Sequence, residues 1–245
     1  MISATIITLN EEENIKRALG SLDFVDEIVV LDSGSSDNTV KIAKEMGAKV
    51  YHRHFDNFAN QKNAALAKTT YDWILSIDAD EVISKDLATE IQTAIKDEKF
   101  QGFLIPRRNF ILGKEIKHSR WSPDYHLWLW KRNLGKWQGK VHEEVIINGL
   151  VGKLKNAKLH FSHQSIGEFM EANNKYSDLE AEALSKDGIK FLFPMMVWQA
   201  FFEFTIRFFY KRGFLDGKEG LILSYIMGVY KLTVWIKLWE KNIKN

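Results

Sequence analysis

The chain has 245 residues, 45% hydrophobic and 27% charged, ordinary globular proportions that suffice for one large core or a core with an appendage. With Cys 0, disulfides and thiolate metal sites are excluded, so any metal must sit on oxygen or imidazole. A formal net charge of +2, without a Lys/Arg block able to track phosphates, argues against nucleic acid as a partner.

The opening "MISATIITLN" lacks a basic start and reaches Glu11–Glu13 before an apolar stretch can form. It does not read as a signal peptide, and the protein is expected on the cytoplasmic side. Ala4–Leu9 predicts a strand, and Asn10 with Glu13 predicts a helix N-cap and capping box. Glu27–Leu31 predicts a second strand, "DSGSSDNT" a turn, and Val40–Met46 a helix ended by Gly47. "KVYHR" and "NFANQKNAALAKT" follow as strand and helix; "DWILSI" is a fourth strand, and Ser84 caps a helix through Ile95. Apolar strands alternating with helices predict a parallel sheet covered on both faces, with ligands bound beyond the carboxyl ends of its strands. By that rule Asn10, the Asp32–Asp37 turn and the Asp78–Glu81 cluster share one rim.

After Phe100 the texture changes to shorter pieces separated by Gly or Asn, which predict hairpins or mixed-sheet strands. Ser165 and Glu168 form a capping box opening a long amphipathic helix to about Lys186; Asp216/Glu219 reads as another helix start and Gly213 as a helix stop. From Ile189 onward nine Lys/Arg face four Asp/Glu, among many aromatics.

Asp78 and Asp80, two apart, project to the same side of the end of a strand. Such a pair is tolerable when a divalent cation lies between it and a second anion, and all-oxygen coordination suits Mg²⁺ or Mn²⁺, with a diphosphate as the second anion. The plainer reading is a solvated turn that caps the helix beginning near Ser84.

"TIITLNEEENIKRAL", "EIVVLDSGSSDNTVKIA", "NQKNAAL" and "WILSIDADE", in this order and spacing, resemble the nucleotide-sugar-binding half of a family-2 glycosyltransferase with the GT-A fold. The likeness is close over Ser3–Glu81 and looser over Val141–Leu221, where "GFLDGKEGL" is similar to the lipopolysaccharide-core β-glucosyltransferase type. The resemblance implies an α/β fold: a mixed sheet flanked by helices over 1–164, with 1–100 binding the nucleotide sugar and 101–164 the acceptor, then a helical appendage over 165–245. It also implies roles. Asp32 resembles the family's uracil- or ribose-contacting aspartate, with Thr8, Asn10 and Glu12 lining the first loop. Lys62 would lie near the base or diphosphate, unless it is an ordinary solvent-facing helix charge. Asp78 would face ribose and metal, and Asp80 would be a metal ligand. An acceptor hydroxyl needs a base as it attacks the anomeric carbon; Glu143 in "VHEEV" parallels the family's catalytic carboxylate, with Glu144 as the alternative and His142 as an orienting neighbour. His160 or His163 would complete metal coordination, although a lone histidine is commonly a hydrogen-bonded structural residue.

The implied activity is inverting, metal-dependent transfer of a hexose, glucose in the nearest type, from a UDP-sugar to a glycan or lipid-linked acceptor. Processive members carry Gln-x-x-Arg-Trp after their catalytic carboxylate; "KHSRW" (Lys117–Trp121) has Lys for Gln and precedes Glu143, which predicts single-sugar transfer. Trp121, Trp128, Trp130 and Trp137 suit either stacking on sugars or core packing. Leu221–Trp239 approaches bilayer-spanning length, but Lys231 and Lys237 interrupt it. Peripheral binding of in-plane helices to the inner-membrane surface fits better, against the alternative that they simply pack on the domain. Competing readings are a transferase that loads polyprenyl phosphate and a non-catalytic docking scaffold. A sugar nucleotidyltransferase is disfavoured because "TLNEEEN" is acidic where a triphosphate cradle is Gly-rich and basic.

Overall fold

The computed structural model describes residues 1–139 and 143–244. In chain order the elements begin β1 (Ile2–Thr8), α1 (Ile15–Gly20), β2 (Glu27–Asp32), α2 (Thr39–Glu45), β3 (Lys49–His52) and α3 (Phe58–Leu66). Next come β4 (Trp73–Ser76), β5 (Glu81–Val82), α4 (Lys85–Ala94), β6 (Gly102–Ile111), β7 (Lys114–Ile116) and β8 (Asp124–Lys131). They end with β9 (Gly135–Gln138), β10 (Glu144–Ile147), β11 (Val151–Lys153), β12 (Lys158–Ser162), α5 (Ile166–Lys186), α6 (Phe193–Thr205) and α7 (Lys218–Lys244). The chain divides into two compact units: unit 1 is Met1–Arg107 with Asp124–His160, and unit 2 is Arg108–Pro123 with Phe161–Asn245. The segment around β7 groups with the helices.

In unit 1, β3, β2, β1 and β4 lie side by side and parallel. The expected alternation stops there: β8 pairs antiparallel with β4, and β6 antiparallel with β8, so the sheet is mixed. Strand β1 is buried on both faces, Ile2, Ala4 and Ile6 on one and Ser3 and Thr5 on the other, as a sheet sandwiched between helices requires. The buried Ser3 donates to Glu27, which also accepts from Lys49 and the backbone of Thr70. Burial pushes the Glu27 carboxyl up, but these donors outweigh it and hold it down at about 2.

Local rules explain most starts and stops. Asn57 and Ser84 accept N–H groups of the first turns of α3 and α4. Asn10 is a correction: α1 begins only at Ile15, after Asn14, and Asn10 takes a left-handed φ of 56° instead of capping a helix. The tryptophans resolve as packing: Trp128, Trp130 and Trp137 are buried in the unit 1 core.

In unit 2, the end of β6 and β7 form a hairpin through Leu112 and Gly113, both at positive φ, the geometry of a two-residue type I′ turn. Leu112 tolerates it because its N–H reaches the His163 carbonyl and its side chain packs on the cluster of Ile111, Ile116, Phe169, Leu223 and Ile226. Ser165 and Glu168 cap α5 as expected, although Glu168 returns its second bond to the N–H of Gln164. Helix α7 packs against α5 and α6, burying Leu223, Ile226, Val234, Trp235 and Leu238. Asp216 does not cap α7. Its buried carboxylate accepts the N–H groups of Lys117 and His118, and His118 Nδ1 lies 3.0 Å away. Gly213 and Gly220 approach so closely that a Cβ on Gly220 would collide with the Gly213 carbonyl, which accounts for the glycines of "GFLDGKEG".

Candidate functional site

The rim expected at the carboxyl ends of β1, β2 and β4 exists within unit 1. Thr8 and Asp32 are register partners at the ends of β1 and β2, and the loops beyond them are knitted together. Asn10 accepts the N–H of Ser36 at 2.8 Å and donates its own N–H to Ser35. Glu12 accepts from the backbone and side chain of Asn38, while the N–H of Glu12 reaches Asp37. Asp32 is 2% exposed and takes Thr8 Oγ1, Ser35 Oγ and the N–H groups of Gly34 and Ser35. Burial pushes its carboxyl up; these hydrogen bonds outweigh burial and keep it ionised below the usual range. Asp32 therefore organises the loop that Gly34, at φ 108°, lets turn back on it. Next to Asp32, His52 Nδ1 stands 3.4 Å away.

The acidic turn after β4 has two faces. Glu81, fully buried, accepts Lys158 Nζ at 2.5 Å and the N–H of Asp78, and Arg107 approaches it at 3.5 Å. Arg107 also binds Asp124 at 2.7 Å, and Asp124 in turn holds His126 at 2.6 Å. Lys158 is buried with its ammonium 3.3 Å from the centre of the Trp128 ring; burial, helped by Arg107, pulls its pKa below the usual lysine range despite Glu81 and Asp78. On the other face, Asp78 and Asp80 remain partly exposed.

Lys62 is not a solvent-facing charge. It is 6% exposed, and its Nζ lies 3.0 Å from Glu143 Oε1, 3.4 Å from Asp78 Oδ1 and 4.4 Å from the centre of the Trp137 ring. Burial pulls the Lys62 pKa down, but Asp78 and Glu143 outweigh it and hold the ammonium charged. For Asp78 the balance is mirrored: burial pushes it up, and Lys62, Lys158, Arg107 and His160 press it far below the carboxylate range. The flanking residues of "QKN" build the mount. Gln61 binds Ser33 and the Arg53 carbonyl, and Asn63 exchanges two hydrogen bonds with the backbone of Trp137 on β9.

His160 reaches Asp80 because β12 pairs antiparallel with β5, placing His160 opposite Glu81. The His160 Nε2 to Asp80 Oδ2 distance is 3.1 Å; burial lowers the imidazole's pKa, and the Asp80 hydrogen bond outweighs it, raising the group overall. His163 lies in unit 2 and packs on Phe169. Glu144, on β10, is exposed, and His142 lies outside the described residues. Among the sequence candidates, then, the structure brings together Lys62, Asp78 and Glu143, and separately Asp80 with His160; Thr8, Asn10, Glu12 and Asp32 build the loops beside them.

Four participants were not among the sequence candidates: Lys158, Arg107, Asp124 and Glu11. Lys158 carried a signal, since it precedes His160 by two strand positions and so shares its side. Glu11 stands in the acidic run of the first loop; burial, with the charges of Asp80, Asp78 and Asp37, pushes its carboxyl up despite a bond from Asn14. Among the described residues, no three carboxylates or imidazoles are close enough to form a ready-made metal cage. Asp80 and His160 offer two ligands to a divalent ion that takes the others from substrate phosphates and water, as Mg²⁺ and Mn²⁺ sites in phosphate-handling enzymes do.

The model of the family described as "Glycosyl transferase family 2" matches residues 3–152. A glycosyltransferase of Rickettsia conorii, described as uncharacterized, is 32% identical over 262 residues, covering 100% of this chain and 92% of its own. The lipopolysaccharide core biosynthesis glycosyltransferase LpsC of Rhizobium meliloti is 28% identical, covering 98% of this chain and 93% of its own. Among solved structures, residues 1–349 of S. aureus TarS, in complex with UDP-GlcNAc, align with a TM-score of 0.50 at 15% identity, covering 99% of this chain and 91% of that one. The mixed sheet and its flanking helices are the GT-A fold, and the chain belongs to glycosyl transferase family 2.

Proposed function

We propose that the protein transfers a single hexose, glucose on the family resemblance, from a UDP-sugar to a hydroxyl of a glycan or lipid-linked acceptor, with inversion at the anomeric carbon. The observation that carries this reading is the Lys62 bridge, which holds Glu143, the proposed base, beside Asp78 of the acidic turn. The likeness to LpsC, named for lipopolysaccharide core biosynthesis, supports a cell-envelope glycan as acceptor.

The loops around Asp32 would seat the nucleoside, with Thr8, Asn10 and Glu12 fixing their shape. Asp80 and His160 would hold Mg²⁺ or Mn²⁺ together with the substrate diphosphate, and the ion when bound supplies Lewis-acid stabilisation of that leaving group. Lys62 orients Glu143, so that the carboxylate can take the acceptor hydroxyl's proton as its oxygen attacks the face opposite the nucleotide. Attack from that face inverts the centre. The unmatched processivity motif supports one sugar per cycle.

Glu143→Gln keeps the shape and removes the base, so transfer to a hydroxyl acceptor should fall by about 10²–10⁴-fold with the melting temperature little changed. Asp80→Asn should abolish metal-dependent turnover of UDP-sugar while the protein still folds. Full activity of Glu143→Gln on a polyprenyl phosphate, which needs no base, would replace this reading with the lipid-phosphate one. Normal turnover by Asp80→Asn would remove the metal assignment.

A further inference from the structure

Unit 2 presents a surface that the transferase reading does not use. We propose that the surface formed by α6, the turn after it and the start of α7 docks on an anionic lipid bilayer, lying in the headgroup region and not crossing it.

The chain is apolar here on its outside. Phe193, Trp198, Phe201, Phe209, Tyr210 and Tyr225 are each more than half exposed. A π-helical turn, Ile206–Tyr210, follows α6 and explains part of this. It directs Arg207 inward, to Glu203 and the Ser119 carbonyl, and leaves Phe209 and Tyr210 outward. The aromatic rings of this band form two clusters: Trp198 meets Phe201 and stacks on Phe202, and Phe204 stacks on Phe208, which meets Phe209 and Phe214. Phe, Tyr and Trp are the side chains suited to a membrane–water interface.

The charges identify the partner. Between residues 190 and 225 the carboxylates are Glu203, Asp216 and Glu219, and each is turned to a cation or to backbone donors of its own unit. Lys211, Arg212 and Lys218 are exposed, Lys218 with Glu219 Oε1 4.0 Å away. The outward charge beside the aromatic band is therefore positive, which attracts anionic headgroups and repels a second copy presenting the same face.

Helix α7 is long and apolar enough to cross a membrane by length and composition. Crossing would strip its packing on α5 and α6. The lysines that interrupt it are tied to α5, Lys231 to Glu180 at 2.6 Å and Lys237 to Asp178 at 2.8 Å. In-plane docking leaves both sets of contacts intact.

The full chain tests this by co-sedimentation with vesicles of phosphatidylglycerol and phosphatidylethanolamine, against vesicles of phosphatidylcholine. Partition should favour the anionic vesicles and weaken with salt. A Lys211→Glu/Arg212→Glu variant should lose more than tenfold in partition coefficient, at about fivefold for each cation removed. Trp198→Ser/Phe201→Ser should lose binding even at low salt. Both pairs are exposed, and circular dichroism should report unchanged melting. Equal binding to the two vesicle types, or no binding to either, would overturn the proposal, as would a concentration-dependent dimer that the tryptophan variant dissociates. No donor or acceptor is used, so failure here leaves the transferase reading untouched.

Discussion

Glu81 in unit 1 and Glu203 in unit 2 are both buried carboxylates met by two cations, Lys158 and Arg107 in the first case and Arg207 and Arg120 in the second. A buried ion pair by itself says little about function, since its attraction is largely spent on desolvation. What surrounds each pair differs. Beyond Glu81 the acids continue outward to Asp78, Asp80 and Glu11, whose carboxyl is pushed up by burial and by the charges of Asp80, Asp78 and Asp37. Beyond Glu203 the acids end, and the outer surface is aromatic with lysine and arginine at its border. One arrangement leaves an acidic corner open to a cationic ligand; the other hides its acids and presents a greasy, basic face.

That contrast can be broken most severely at Lys158. With both partners buried, Lys158→Met should leave Glu81 with its 3.5 Å contact to Arg107 and cost up to about 3–5 kcal/mol, read by urea unfolding. A loss well below this would mean that the network is not needed to hold the acidic turn. A smaller, pH-dependent effect should come from Glu27, far from any proposed ligand. Its carboxyl is held at about 2 against 4.5 when unfolded, so the stability it contributes is complete above pH 4.5 and disappears as pH falls toward 2. The stability difference between the wild type and Glu27→Gln should therefore close over that interval. A constant difference down to pH 2 would contradict the assignment of its donors.

The parts of this molecule governed by near neighbours were legible in the sequence. Ser84 caps α4 and Ser165 pairs with Glu168 because capping is a matter of three residues. The rim was legible because parallel strands joined by helices place their carboxyl ends together. Asn10 failed because the loop from Ser35 to Asp37 offers it tertiary partners that outcompete a local cap. Lys158 and Arg107 were missed because Lys158 meets Glu81 across 77 residues of chain, and Arg107 only through the antiparallel half of the sheet. The Lys62 to Glu143 contact spans 81 residues and depends on Asn63 pinning β9 against α3. Composition names such residues; only the register brings them into contact.

We propose that the acidic corner takes a cation together with a nucleoside diphosphate. Isothermal titration of the protein with UDP, in the presence and absence of Mn²⁺, tests it most directly, with Asp80→Asn in parallel. UDP binding should depend on Mn²⁺ and be lost in Asp80→Asn at an unchanged melting temperature. Binding of equal strength without the metal, or undiminished in Asp80→Asn, would contradict it.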